Sequence, residues 1–351
     1  MSMRTFGLSQ ETAKPRSAHG LCIPEARSGG RLTADGVLLG LLIVNERNLR
    51  QLGTNSRSSK AWYSGAGQAD HERLTVAKSP QHSEPLNERN AGFDSTSQTM
   101  SLNLLNSLPM STFVLVHGAW QSNGTWDLLI PLLEKRGHRV ITPVLAGLGT
   151  DQSRLSRDTT LTQHREDVSA EVSRCPDPVI LVGHSYAGMI ISGVAESNPT
   201  QVRRLVFLDA FIPEDGQSAL DLLPPEIGAY FRGVARDHGD GWRLPGGEGQ
   251  LDLWGLKPGE AREFVRARLC DFSLRCFEER LHLPANRKGS IPATFVASIA
   301  EGYPARPFFA PFAAKASASG WEVAELKTGH DCHVECPEAV ANILLSAALS
   351  Q

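Results

Sequence analysis

Pro178-Val179-Ile180-Leu181-Val182-Gly183-His184-Ser185-Tyr186-Ala187-Gly188-Met189-Ile190-Ile191 reads as a buried strand, a sharp turn carrying one serine, and the opening of a helix. The apolar run through Val182, β-branched at Val179, Ile180 and Val182, is the pattern of a parallel strand covered on both faces. Small residues, Gly183 and Ala187, flank the serine. A strand that turns at once into a helix holds such a serine in a strained backbone conformation and tolerates no bulk beside it. The hydroxyl then stands clear at the carboxyl end of the sheet, with the positive end of the helix aimed at the reacting centre. A bare small-x-Ser-x-small match more often marks a helix-capping serine, so the reading depends on the rest of the chain.

Working outward, strands and helices alternate from Thr112 onward. Thr112 to Val116 is a predicted strand, Thr125 to Arg136 has helical spacing, and Arg139 to Leu145 is the next strand. Leu161 to Ser173 is a one-faced helix, and the helix after Ser185 runs to about Ser197, where Asn198-Pro199 stops it. Arg204 to Leu208 is a further strand, ending at Asp209. This alternation implies a parallel sheet with right-handed crossovers and helices on both faces.

The pattern breaks between Pro213 and about Ile291. Short apolar segments there, at Leu220 to Leu223, Trp242 to Leu244 and Leu251 to Leu256, are punctuated by Pro and Gly. An insertion placed after a strand's carboxyl end sits above the sheet, as a lid does. Strand periodicity resumes at Ala293 to Ile299 and at Trp321 to Leu326, and Pro337 to Leu349 is a closing helix.

Residues 1–109 are different in kind: rich in Ser, Asn, Gln, Gly and Arg, and without useful periodicity. Their one apolar run, Val37 to Val44, falls well short of the roughly 18 to 20 residues that cross a bilayer, and it makes neither a tidy signal peptide nor an acid-poor transit peptide. The expectation is a low-order N-terminal extension on a functional domain of residues 110–351, which begins near Met110, with the lid at about 213–291. The 351 residues carry a formal net charge of −3, no footprint for nucleic acid or an anionic membrane. A small, largely uncharged molecule is the expected partner. Six cysteines, sparse for this length, read as reduced thiols of a cytoplasmic protein.

A serine hydroxyl needs a base within hydrogen-bond reach and a third group to orient that base. Thr328-Gly329-His330-Asp331 follows the last predicted strand at the same edge as Ser185, and its glycine lets the loop turn the imidazole of His330 toward the serine. His184 would point into the sheet, and His333 is a weaker alternative. His117-Gly118-Ala119-Trp120 follows the first strand, where the N–H groups of Ala119 and Tyr186 would converge on a carbonyl oxygen. Three such elements on three strand ends are harder to dismiss than any one of them.

Phe113-Val114-Leu115-Val116-His117-Gly118-Ala119-Trp120, Gly183-His184-Ser185-Tyr186-Ala187-Gly188-Met189, Phe207-Leu208-Asp209-Ala210-Phe211-Ile212-Pro213 and Gly329-His330-Asp331 together resemble the α/β-hydrolase superfamily. The branch most similar is that of small esterases related to plant methylesterases and hydroxynitrile lyases. The resemblance spans 112–350. It implies an α/β-hydrolase fold, mainly parallel and flanked by helices, with a helical lid inserted after the sixth-type strand. It also implies Ser185 as nucleophile, His330 as base, and Ala119 and Tyr186 as oxyanion donors. Ala187 departs from the commonest elbow, which has glycine there.

The acid behind the histidine is less direct. Many relatives place an aspartate after the strand that here is Ala293 to Ile299, where this chain reads Ala300-Glu301-Gly302. An aspartate ending the strand after the nucleophile's is a known alternative location, so Asp209 is preferred to Glu301. His330, Cys332, His333 and Cys336 crowd within seven residues, yet their spacing matches no standard zinc site; no metal or cofactor is expected. The expected activity is cleavage of a carboxylic ester or lactone of a hydrophobic small molecule, with Trp120, Tyr186, Trp242 and Trp254 as candidates to line the pocket. Two alternatives remain: a slow or non-catalytic small-molecule receptor on the same fold, and a hydroxynitrile lyase-type C–C lyase. Such lyases resemble this chain but carry a lysine where it has Asp331.

Overall fold

Residues 110–283 and 291–349 are described by a computed structural model; the extension 1–109, with its run Val37 to Val44, lies outside the described residues. In chain order come β1 (Thr112–Val116), α1 (Ile130–Glu134), β2 (Arg139–Ile141), α2 (Leu161–Ser173), β3 (Val179–His184), α3 (Ala187–Ser197) and β4 (Val202–Leu208). A stretch of short elements follows: β5 (Gln217–Ser218), α4 (Pro225–His238), β6 (Arg243–Leu244), α5 (Glu248–Leu253), α6 (Glu260–Arg266), β7 (Phe272–Ser273), α7 (Leu274–Glu278) and β8 (Arg280–Leu281). The chain then returns through β9 (Ala293–Ser298), α8 (Arg306–Ala318), β10 (Glu322–Leu326), α9 (Cys332–Glu335) and α10 (Pro337–Leu349).

Six of these strands form one sheet in the order β10-β9-β4-β3-β1-β2, and every pairing is parallel. All residues of β3 are buried, which is why the run through Val182 is continuous rather than alternating. Its side chains still divide by face. Ile180 and Val182 join Phe113 and Leu115 of β1 in a core closed by Trp126, Leu133 and, from α10, Val340 and Leu344. Val179 and Leu181 join Val114 and Val116 in a second core, closed by α2, α3 and α8 through Val168, Val172, Ile190, Ile191 and Phe309. The sheet is therefore packed between two helical layers. No helix among the described residues is long and apolar enough to cross a membrane.

Local chemistry sets the boundaries. Thr160 caps α2 by accepting from Gln163 N at 3.2 Å, while Gln163 Oε1 accepts from Thr160 N at 3.1 Å. The helix predicted over Thr125 to Arg136 is instead a 3₁₀ turn, Asn123–Trp126, followed by α1, because Pro131 cannot donate and is suited only to a helix start. The strand predicted to Leu145 ends at Ile141, two residues before Pro143 removes a ladder donor. The helix after the serine starts at Ala187 rather than at Ser185. Helix α8, with Pro307 and Pro311 in its sequence, has no counterpart in the sequence expectations, since two prolines mask its helical period.

Candidate active site

Ser185 leaves β3 with φ 57°, the left-handed region that a non-glycine residue enters only under constraint. Its own backbone supplies that constraint. Ser185 N donates to Leu208 O at 3.2 Å, and Ser185 O accepts from Gly188 N and Phe211 N, both at 3.1 Å. The first turn of α3 lies so close to the segment after β4 that a Cβ on Gly188 would stand 2.0 Å from Phe211 O. On the other side, a Cβ on Gly118 would meet Ser185 Cβ at 2.9 Å. The turn bearing Ser185 is thus wedged between the loops that follow β1 and β4.

The loop after β10 carries His330. Its N–H donates to Trp254 O at 2.8 Å, and its Nδ1 lies 2.8 Å from Asp209 Oδ2. Asp209 also has positive φ, 43°, and its Oδ1 accepts from Ser298 N at 3.2 Å. The hydroxyl of Tyr303 donates to Asp209 Oδ2 at 2.7 Å and stands 2.9 Å from His330 Nδ1. Of the two carboxylates the sequence offers, Asp209 is buried against the histidine and Glu301 is exposed. With Nδ1 donating to Asp209, Nε2 is the basic nitrogen of the ring. Burial holds the His330 imidazole down to about 3, so it rests neutral. Burial likewise pushes the Asp209 carboxyl up to about 7, against the pull of the donors from Tyr303 and Ser298.

Ala119 and Tyr186 are both buried, and among the described residues the N–H of neither is donated within the protein. The Tyr186 ring turns into the core: it packs on Phe272 and Phe277, and its hydroxyl lies 3.2 Å from His164 Nδ1. Trp120, with φ 60°, ties the same loop to the segment between β4 and β9. Its indole N–H donates to Leu244 O at 3.1 Å, and its carbonyl accepts from Cys270 N at 2.6 Å.

A cavity of about 730 Å³ of empty space, its open mouth included, is lined by Ser185, His330 and Ala119 and walled by aromatic residues including Trp120, Phe231 and Trp254. Among the described residues, no lysine or arginine lines it. Trp242 is not among its lining residues; half-buried, it gives its carbonyl to Leu274 N at 2.9 Å. The indole therefore stands apart from the cavity that Trp120 and Trp254 share. Tyr303 and Gln121 carried no motif signal, since each is placed by a loop rather than by a strand end.

The four sulfur and imidazole groups of 330–336 do not converge: Cys332 is buried and Cys336 exposed. The described cysteines, Cys175, Cys270, Cys276, Cys332 and Cys336, are free thiols; Cys22 lies outside the described residues. A different trio, His184, Asp331 and His333, has ligand atoms within 4.8 Å of one another. It fits a metal poorly, because both His184 nitrogens already face oxygens: Nε2 lies 3.0 Å from His330 O and Nδ1 lies 3.2 Å from Gln121 Oε1.

Comparison with known proteins adds the following. The model of the alpha/beta hydrolase family matches residues 113–343. A carbendazim hydrolyzing esterase from Nocardioides sp. is 36% identical over 244 residues, covering 67% of this chain and 98% of the relative. An alpha-hydroxynitrile lyase from Arabidopsis thaliana is 38% identical over 104 residues, 29% of this chain and 40% of the lyase. Among solved structures, an extracellular alpha/beta-hydrolase from a Paenibacillus species superposes with a TM-score of 0.59 at 27% identity, over 68% of this chain and 99% of that one. That hydrolase is described as sharing structural and functional homology with tobacco salicylic acid binding protein 2.

Proposed function

The chain belongs to the alpha/beta hydrolase family, and from that premise we propose that it hydrolyses a carboxylic ester of a hydrophobic small molecule, open-chain or lactone, through an acyl-enzyme. Similarity to the carbendazim hydrolyzing esterase over 98% of that protein's length supports ester hydrolysis. The observation that carries the reading is one cavity lined by both Ser185 and His330, with Asp209 buried 2.8 Å behind the histidine.

In this reading His330 Nε2 takes the Ser185 hydroxyl proton as Oγ attacks the carbonyl carbon, and Asp209 holds the ring in the tautomer that keeps Nε2 free. The N–H groups of Ala119 and Tyr186 receive the negative charge on the carbonyl oxygen, each worth about 3 kcal/mol of transition-state stabilisation. His330 then gives its proton to the departing alkoxide, and water repeats the sequence to release the acid. The aromatic walls, Trp120 and Trp254 among them, favour an uncharged substrate with an apolar body. The lyase alternative would be served by a cation beside the base, and here the residue after the base is Asp331, buried and bonded to Gln121.

Turnover of graded p-nitrophenyl esters and lactones tests the reaction, and burst labelling by a fluorophosphonate tests the nucleophile. Both are expected to vanish in Ser185→Ala. Undiminished turnover in that variant would sink the reading, and labelling without turnover would favour a receptor.

A further inference from the structure

His330 is held by its backbone on both sides. Its N–H goes to Trp254 O, and its carbonyl faces His184 Nε2 at 3.0 Å. A carbonyl only accepts, so His184 carries a proton on Nε2. Its Nδ1 meets one end of the Gln121 carboxamide at 3.2 Å, and the other end of that carboxamide meets Asp331 Oδ1. Gln121, His184 and Asp331 are all fully buried, and Asp331 Oδ2 has no partner among the described residues.

This chain can exist in two proton states. With Gln121 Oε1 toward His184 and Nε2 toward Asp331, the orientation seen here, Asp331 is a carboxylate and His184 must protonate Nδ1 as well. A half-turn of the carboxamide serves a neutral chain: Asp331 O–H donates to Oε1, Nε2 donates to His184 Nδ1, and His184 Nε2–H donates to His330 O. The oxygen and nitrogen ends have the same shape, so hydrogen-bond consistency decides between them.

The surroundings oppose the charged state. His117, His330 and His333 face the His184 ring; Asp209 and Glu335 are the acidic groups nearest Asp331, the His184 and His333 rings each bring a nitrogen within 4.8 Å of its carboxylate, Tyr303 and Cys332 adjoin it, and among the described residues no lysine or arginine does. A buried carboxylate with one donor and one bare oxygen is costly, whereas a carboxylic acid in the same place is not. We infer that Gln121, His184 and Asp331 form a positioning chain that holds one proton on Asp331 up to about neutral pH and thereby clamps the backbone of His330. Burial acts in the same sense on both ends, raising the Asp331 carboxyl and lowering the His184 imidazole. The inference rests on the reading of His330 as general base.

When Asp331 ionises, the carboxamide turns, His184 Nδ1 loses its donor and the clamp loosens, so kcat is expected to decline on the alkaline side. In Asp331→Asn the new amide N–H replaces the acid O–H permanently. Asp331→Ala should lower kcat about 10-fold with KM within about twofold. Asp331→Asn should recover most of that loss and abolish the alkaline decline. Nitrogen-15 NMR of the unliganded wild-type protein, independent of turnover and of variant folding, should show His184 protonated at Nε2 only at neutral pH. A doubly protonated His184, or an Asn variant that keeps the wild-type alkaline decline or does no better than the Ala variant, would overturn the inference. Failure of a fluorophosphonate to label wild-type Ser185 would instead sink the hydrolase reading and leave the NMR result standing.

Discussion

The Tyr303 hydroxyl donates to Asp209 Oδ2 at 2.7 Å, the same oxygen that His330 Nδ1 approaches at 2.8 Å. One carboxylate oxygen therefore receives two donors, and Tyr303 sets how basic that oxygen is. A donor to the ionised form favours ionisation, so removing it lets burial act with less opposition. In Tyr303→Phe the acid limb of kcat/KM is expected to move to higher pH. With the Asp209 carboxyl already at about 7, a shift of about one unit lowers activity near pH 7 roughly fivefold, with recovery as pH rises. A full pH profile of both proteins checks this. An acid limb that does not move would detach it from Asp209.

Asp209 and Glu301 can be separated by a pair of conservative changes. Asp209→Asn leaves the shape but removes the acceptor that fixes the His330 tautomer, a change that elsewhere lowers kcat about 10⁴-fold. Glu301→Gln, at an exposed position, is expected to leave kcat within about twofold. The same Asp209 variant should be more stable than wild type at pH 8. The folded carboxyl is raised from 3.8 to about 7, so the native state binds the extra proton and stability falls as pH rises between those values. Removing that ionisation is expected to add about 2–4 kcal/mol, read as a raised Tm. A lower Tm at pH 8 would contradict the assignment of a strained, burial-raised carboxyl.

We propose that the folding and catalytic unit begins near Met110. That residue is 73% exposed and β1 follows two residues later; the family match starts at 113. A chain of residues 110–351 is expected to match the full chain in Tm and in kcat/KM with a p-nitrophenyl ester. Loss of either would assign residues 1–109 a part in the fold or the site.

What could be read from the sequence was whatever a strand end declares. Ser185 and Asp209 each close a strongly apolar strand, His330 lies in the loop past the half-exposed β10, and the parallel order brings all three to one edge. The sheet itself was readable because β3 and the second half of β4 are buried and show continuous apolar runs, Val179 to Val182 and Leu205 to Leu208. Tyr303 was not, since it reaches Asp209 from a loop after β9 whose only sequence mark was Glu301-Gly302. Trp242 and Trp254 looked alike as indoles in an irregular segment, and only tertiary packing puts Trp254 on the cavity and Trp242 off it. Gln121 was silent for the same reason. It matters through what its two carboxamide ends meet, and those partners lie 63 and 210 residues away.

Acid should unfold this protein cooperatively, because its core holds several imidazoles in the neutral form. Burial lowers His117 and His164 to about 4 and His330 to about 3, and it takes His184 and His333 well below the usual value of 6.5. Between about pH 6.5 and 4 the unfolded chain binds those protons and the native state does not, so stability falls as pH falls. Asp209 and Asp331, both raised to about 7, act in the opposite direction, but the imidazoles outnumber them. A pH series of thermal denaturation should show a steep drop in Tm below pH 6. His333 offers the cleanest variant: neither ring nitrogen has a partner among the described residues, and the ring lies against Trp126 at 4.4 Å and His184 at 4.6 Å between centroids. An aromatic ring without nitrogens suits that site better. His333→Phe is expected to gain about 1–2 kcal/mol at pH 7 and to flatten the acid side of the Tm profile. A lower Tm with an unchanged acid slope would show that the His333 nitrogens make bonds in solution and that this imidazole does not drive the acid transition.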